Sequence, residues 1–213
     1  MTTPDATHPA PPATPETPAT PTLRGERVYL RPAERSDLPN FVRWFADGET
    51  TRYLQARAPF SAAAEDKWFE GMLERHGKSD WHFVICLVTD GRPIGTVGLH
   101  QVNLEDGHAA FGISIGDKAE WNKGYGTDAL NTMCDFGFGK LRLERIWLEV
   151  YRPNTRAQRS YAKAGFTLEG ARRNAHFSDG RHHDVLVMSL LRDEWLAQPR
   201  RKSWEYLPGE QPD

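Results

Sequence analysis

The sequence has little of several things, and each shortage excludes a class of protein. Only two cysteines occur in 213 residues, Cys86 and Cys134, both in apolar-patterned segments. That excludes a disulfide framework and leaves too few thiols for a cysteine metal site, so both are read as buried free thiols in a reducing compartment. No apolar run approaches about 20 residues, so no membrane span is expected. The formal net charge is −2, which gives no bulk drive toward nucleic acid or an anionic membrane. No basic start followed by an apolar stretch opens the chain, so a secretory leader is not expected and a cytoplasmic location is. Hydrophobic residues at 38% and charged residues at 26% suit one globular domain with a core of its own.

Proline is unevenly spread. Seven of the fifteen fall in residues 1–22, "MTTPDATHPAPPATPETPATPT". That composition cannot bury enough surface to offset ordering entropy, so the segment reads as a disordered tail. The domain is expected over 23–197. Residues 198–213 form a polar second tail, which either drapes over the domain through Trp204 and Tyr206 or hangs free.

Between the tails, strand and helix patterns alternate. "RVYLRPAE" (27–34) alternates as a strand. A helix follows with Ser36 as its cap, Leu38, Phe41, Val42 and Phe45 at helical spacing, and Gly48 as its stop. A second helix covers 61–77 with Ser61 as cap. Strands are expected at 81–89, 93–102 and 108–116, joined by the turns "DGR" and "EDG". A helix enters from "EWNKGYGTDALNTM" and runs to about Lys140. Its buried stripe is Ala129, Leu130, Met133, Cys134, Gly137 and Leu141. A strand at 143–151, a helix at 154–165 capped by Asn154 and ended by Gly165, and a hairpin turning at "SDGR" complete the chain. The order β-α-α-β-β-β-α-β-α-β-β predicts an α+β fold, a mixed sheet with helices packed on it.

Two stretches carry chemistry. In "NKGYGT", Gly124 and Gly126 can take positive φ and leave successive backbone N–H groups open at a helix start, which suits an anion. Lys123 adds a charge and Thr127 a hydroxyl. Taken alone, the loop reads equally as a tight turn. It is no P-loop, because no Gly-Lys-Ser/Thr follows. A Rossmann reading finds acids at Glu144 and Glu149 about 20 residues on. The loop's late position, the hairpins before it and the single βα unit after it oppose that reading. The second stretch is "NTRAQRSYAKAGF". Ala157, Tyr161 and Ala164 share one helical face, and Arg156, Arg159 and Lys163 share another. Alone, Tyr161 reads as a core tyrosine and the basic face as solvated surface.

Together, "WNKGYGTDA", the strand "RIWLEV" and "N-x-x-A-x-x-x-Y-x-x-x-G-F" resemble the GNAT superfamily of acyl-CoA N-acyltransferases. "LRGERVYLRPAERSDL", Trp121 and "FSDGRHHDVLVMSLLRDEW" resemble its RimJ/RimL-type branch. The resemblance spans about Leu23 to Leu196. It implies a central, mostly antiparallel mixed sheet, splayed at an acetyl-CoA site, with helices on both faces. It places the cofactor pyrophosphate on Asn122, Lys123, Gly124, Tyr125, Gly126 and Thr127, and the pantetheine arm along Ile113, Ser114 and Ile115. Asn154 touches the cofactor, and Arg156 or Arg159 meets its adenosine phosphates. It implies Tyr161 as general acid to the leaving thiolate and backbone amides near Ser114 as oxyanion donors.

Many relatives carry a glutamate base on the strand before the loop, and here that position reads Ala110. His108 on the same strand and His100 on its neighbour are the side-chain candidates, with water as the other. His182 and His183 alternate across a strand and lack further ligands, so no metal is expected. The implied activity is acetyl transfer from acetyl-CoA to a primary amine by direct attack in a ternary complex. The amine is a protein N-terminus, a spermidine-like polyamine or another small molecule. A non-catalytic acyl-CoA sensor is the reading from a different class. No nucleic-acid partner is expected, and a homodimer is left open.

Overall fold

The computed structural model describes residues 23–55, 61–207 and 210. The Pro/Thr/Ala-rich stretch at 1–22 lies outside the described residues. Within them, eight strands form one open sheet. They are β1 (Leu23–Arg24), β2 (Val28–Pro32), β3 (Trp81–Leu87), β4 (Pro93–Asn103), β5 (His108–Ile115), β6 (Arg145–Tyr151), β7 (Thr167–Ser178) and β8 (Arg181–Leu191). Their order across the sheet is β1-β2-β3-β4-β5-β6-β8-β7. The helices are α1 (Leu38–Phe45), α2 (Gly48–Thr51), α3 (Ala62–Arg75), α4 (Tyr125–Gly139), α5 (Thr155–Lys163) and α6 (Arg192–Leu196).

Alternation along the strands sorts side chains onto two faces. Val28, Leu30, Phe83, Ile85, Val97 and Leu99 join the α4 stripe Ala129, Leu130, Met133 and Cys134 in the main core. The other face packs Tyr29, Val84 and Cys86 under Phe41 and Trp44 of α1. Helices therefore cover both faces. Cys86 and Cys134 are buried and unpaired, as their apolar surroundings suggest.

Neighbouring strands pair antiparallel except β5 and β6. That parallel pair holds register only over His108↔Arg145, Ala109↔Ile146 and Ala110↔Trp147. Beyond Ala110, β5 stays with β4 while β6 stays with β8. The two strands splay from Phe111 onward, and the gap between them positions the site.

Local chemistry sets the element ends. Ser61 accepts from the Ala64 N–H and Asn154 from that of Ala157, at 3.2 Å each, so both cap their helices. Ser36 does not. Residues 35–37 form a 3-10 turn, and α1 starts after Asp37, whose carboxylate instead takes Arg31 at 2.7 Å and the Glu34 N–H at 2.9 Å. Gly48 opens α2 rather than ending α1, whose last residue is Phe45. Asp179 and Gly180 both have positive φ, 51° and 76°, the geometry of a tight hairpin turn between β7 and β8.

The segment after α6 packs on the domain as far as it is described. Asp135 of α4 is 2% exposed and accepts from Trp195 Nε1 at 2.8 Å, the Ser203 N–H at 2.7 Å and Arg200 at 2.6 Å. Trp204 lies against Gly139, where a Cβ would come within 2.6 Å of its ring.

Candidate active site

The splay opens into a cavity of about 810 Å³. Its walls are the free ends of β5 and β6, the loop before α4, and α5. Residues Ile113, Ser114, Ile115, Asn122, Gly124, Tyr125, Gly126, Thr127, Asn154, Arg156, Arg159 and Tyr161 all line it. These belong to two motifs some 30 residues apart, brought together because β6 carries the chain from α4 back across the gap to α5.

The loop is built to leave N–H groups open. Asn122 and Gly124 take positive φ, 61° and 87°. Gly124 caps α4 without a side chain to accept from its first turn. Gly126 is different from its expectation: it lies inside α4, where its missing side chain keeps the first turn bare rather than permitting a left-handed residue. Asp128 fixes the start of α4 by accepting from the N–H groups of Glu26, Arg27 and Val28 at 3.1, 2.8 and 2.9 Å. Arg92 braces the same loop through Asp117 and Glu120, both at 2.6 Å. Thr127 Oγ1 lies 2.8 Å from Ser160 Oγ and so joins α4 to α5. Arg156 lies 3.9 Å over the Trp121 ring, whose Nε1 donates to the Ile115 carbonyl at 2.7 Å.

Lys123 is outside the cavity wall. Its ammonium reaches Glu120 at 3.1 Å, and its carbonyl accepts from Arg27. His108 is also outside the wall. It sits where β5 and β6 are still hydrogen-bonded, below the point of splay, and its Nδ1 is buried without a hydrogen-bond partner among the described residues. His100, directly opposite Ala110 in the ladder, does reach the cavity.

The register also sets which backbone amides of β5 face the gap. The Gly116 N–H bonds to the Ile94 carbonyl at 2.9 Å. Antiparallel alternation then turns the Ser114 amide toward β4 and the Ile113 amide into the splay.

Tyr161 packs its ring against Phe111 and Phe166 at 6.4 and 6.2 Å, T-shaped to the first and tilted to the second. Burial pushes its phenol up to about 12, so it holds its proton at neutral pH.

The cavity lining also includes Glu49, Tyr53, Trp147, Glu149 and Tyr151. Glu49 pairs with Lys118 at 3.2 Å and Glu149 with Arg172. Of the other aromatics, Trp44 is core, Trp81 packs on Phe136, and Trp68 stands edge-on to His82. Glu65 is buried at 3% exposure, and Asp66 and Glu70 pair with Arg35, so none of the three faces the cavity. The chain order hides Glu149, Trp147 and Tyr151 as a set. Their i, i+2, i+4 spacing on a strand is the signal that places them on one face.

Residues 27–167 match the family model described as the acetyltransferase (GNAT) domain. An uncharacterized N-acetyltransferase, p20 of Bacillus licheniformis, is 31% identical over 83% of this chain and 99% of its own length. The spermidine N(1)-acetyltransferase of Vibrio cholerae is 33% identical over 80% and 96%. A crystal structure of spermidine N-acetyltransferase from Vibrio cholerae with CoA and spermine superposes with a TM-score of 0.73 at 27% identity, covering 79% of this chain and 98% of that one.

Proposed function

Starting from the fact that this chain belongs to the GNAT acetyltransferase family, and is an N-acetyltransferase with acetyl-CoA as co-substrate, we propose that its acceptor is a polyamine of the spermidine type. The observation that carries this is the acidic and aromatic part of the cavity lining. Two carboxylates, Glu49 and Glu149, line the cavity with the rings of Tyr53 and Trp147, and a bound polycation would compete for them with the exposed Lys118 and Arg172. A flexible polycation suits that pairing of charge and π-surface. The likeness to spermidine acetyltransferases supports the same reading.

This geometry supports the following mechanism. The bare first turn of α4, with Asn122, Gly124, Tyr125, Gly126 and Thr127, takes the pyrophosphate. Arg156, stacked on Trp121, and Arg159 take the adenosine phosphates, while Asn154 lies beside the cofactor. The pantetheine arm runs along Ile113 to Ile115 as an added strand. The neutral amine attacks the thioester carbonyl, and the oxyanion that forms is met by the Ile113 amide. Collapse of the adduct expels the thiolate, which takes the Tyr161 proton. With alanine at 110 and His108 outside the wall, the amine's proton leaves through water in the cavity, with His100 on its lining as the side chain that relays it.

A second acceptor reading is the α-amine of a protein N-terminus, as the RimJ/RimL-type motifs suggest. Location in the cytoplasm and homodimer formation are proposed with the same standing. The first rests on the unpaired buried thiols, the second on the exposed outer edge of β7. Thiol release from acetyl-CoA with spermidine, free-N-terminus peptides and amino acids tests the acceptor. Release with peptides and none with spermidine would overturn the polyamine reading.

A further inference from the structure

A second cluster lies on the edge of the cavity, on the face of the sheet under α3. Asp80 precedes β3, His82 is on β3 and His100 on β4. The ladder pairs His82 with Gly98, so His100 lies two residues further along on the same face, and Asp80 shares it by alternation. Gly98 and Gly112 make the room. A Cβ on Gly98 would come within 3.3 Å of both imidazoles, and one on Gly112 within 3.1 Å of His100 Nε2.

One ligand-type atom from each of the three residues lies within 4.8 Å of the other two. We propose that Asp80, His82 and His100 bind a divalent transition-metal ion, of the Zn²⁺ or Co²⁺ type, at the edge of the cavity that His100 lines.

The spacing argues for a shared ion over a hydrogen-bonded relay. Asp80 Oδ2 and His82 Nε2 are 3.8 Å apart, too far for a hydrogen bond. His82 Nε2 is buried with no hydrogen-bond partner among the described residues. Three atoms that close share a point within about 2.8 Å of each, so side-chain shifts of under ~1 Å reach metal–nitrogen distances near 2.1 Å. Two imidazoles and one carboxylate favour zinc or cobalt over calcium or magnesium.

The surroundings are those of an oriented ligand set. The Gln101 N–H donates to Asp80 Oδ1 at 3.2 Å, from a bulge in β4 where Gln101 takes φ 51°. His76 Nδ1 accepts from the His82 N–H at 3.3 Å, and Trp68 covers the His82 ring edge-on. Arg75 opposes an ion there: its Nε donates to Asp80 Oδ2 at 2.8 Å from a side chain 47% exposed. An ion would compete with Arg75 for that carboxylate.

That competition makes the test two-sided. The metal-free full chain is titrated with CoCl₂, following the visible bands of bound Co²⁺. One ion should bind, and His82→Ala and His100→Ala should each weaken it by about tenfold or more, with circular dichroism confirming the fold. Arg75→Gln, at an exposed position, should tighten binding several-fold. No stoichiometric bands, bands that survive both histidine variants, or affinity unchanged by Arg75→Gln would overturn the site. Because the readout is metal binding, the result is independent of which amine the enzyme acetylates.

Discussion

The ring of Tyr161 meets that of Phe111 edge-on at 6.4 Å, which fixes the phenol on the cavity wall at the place where β5 leaves β6. Replacing it with phenylalanine keeps the packing and removes the proton. Tyr161→Phe should lower kcat by roughly 100-fold while the Kd for CoA stays within about twofold. Steady-state kinetics with calorimetry of CoA binding checks this. Unchanged turnover at every pH would remove Tyr161 from the acid role.

The same residue sets a pH expectation. Burial raises its folded-state value to about 12, against about 10 when unfolded. The donor form is therefore kept throughout the neutral and mildly basic range, and kcat should show no basic limb from Tyr161 below pH 11. The linked stability is fully present below about pH 10 and declines as pH rises toward 12, because the unfolded chain then binds fewer protons. Urea unfolding between pH 9 and 11 measures that decline.

Arg156 lies 3.9 Å over Trp121, and Trp121 holds the Ile115 carbonyl. Arg156→Ala should raise the KM for acetyl-CoA by several-fold and leave kcat nearly unchanged, since a stacked cation is worth about 1 kcal/mol or more and the proposed phosphate contact goes with it. A fall in kcat with KM untouched would place Arg156 elsewhere in the mechanism.

Gly124 sits at φ 87° with Arg27 Nη1 only 3.3 Å from where a Cβ would stand. Gly124→Ala should cost about 1 kcal/mol of stability and weaken CoA binding, both from one strained residue. Thermal unfolding and CoA titration of the same sample test the pair of effects.

Asp135 gathers Trp195, Arg200 and Ser203 onto α4. Asp135→Ala should destabilise by about 3 kcal/mol, because it leaves a largely buried guanidinium and a buried indole N–H without their acceptor. A loss of unfolding free energy under a quarter of that size would show that the segment after α6 adds little.

Much of this was legible in the residue order. Alternation located the strands, Ser61 and Asn154 announced their helices, and the joined motifs around Gly124 and Tyr161 pointed to one cavity. What failed depended on contacts distant in sequence. Ser36 looked like a cap because nothing local shows that Arg31 and Glu34 claim Asp37 for a turn before the helix. His108 shared a strand face with Ala110, but only the short parallel pairing reveals that it lies below the splay. Lys123 sits in the loop motif, yet it is not among the residues that line the cavity, and its ammonium is already paired with Glu120. Asp80 and His82 meet His100 only across a ladder between two strands, a pairing that one strand's pattern cannot display.

The acceptor assignment is tested most directly by measuring kcat/KM for spermidine beside that for a short peptide with a free N-terminus, on the same preparation with saturating acetyl-CoA. The account predicts a value for spermidine at least about tenfold higher, a difference of some 1.4 kcal/mol in transition-state binding. An equal or higher value for the peptide would contradict it.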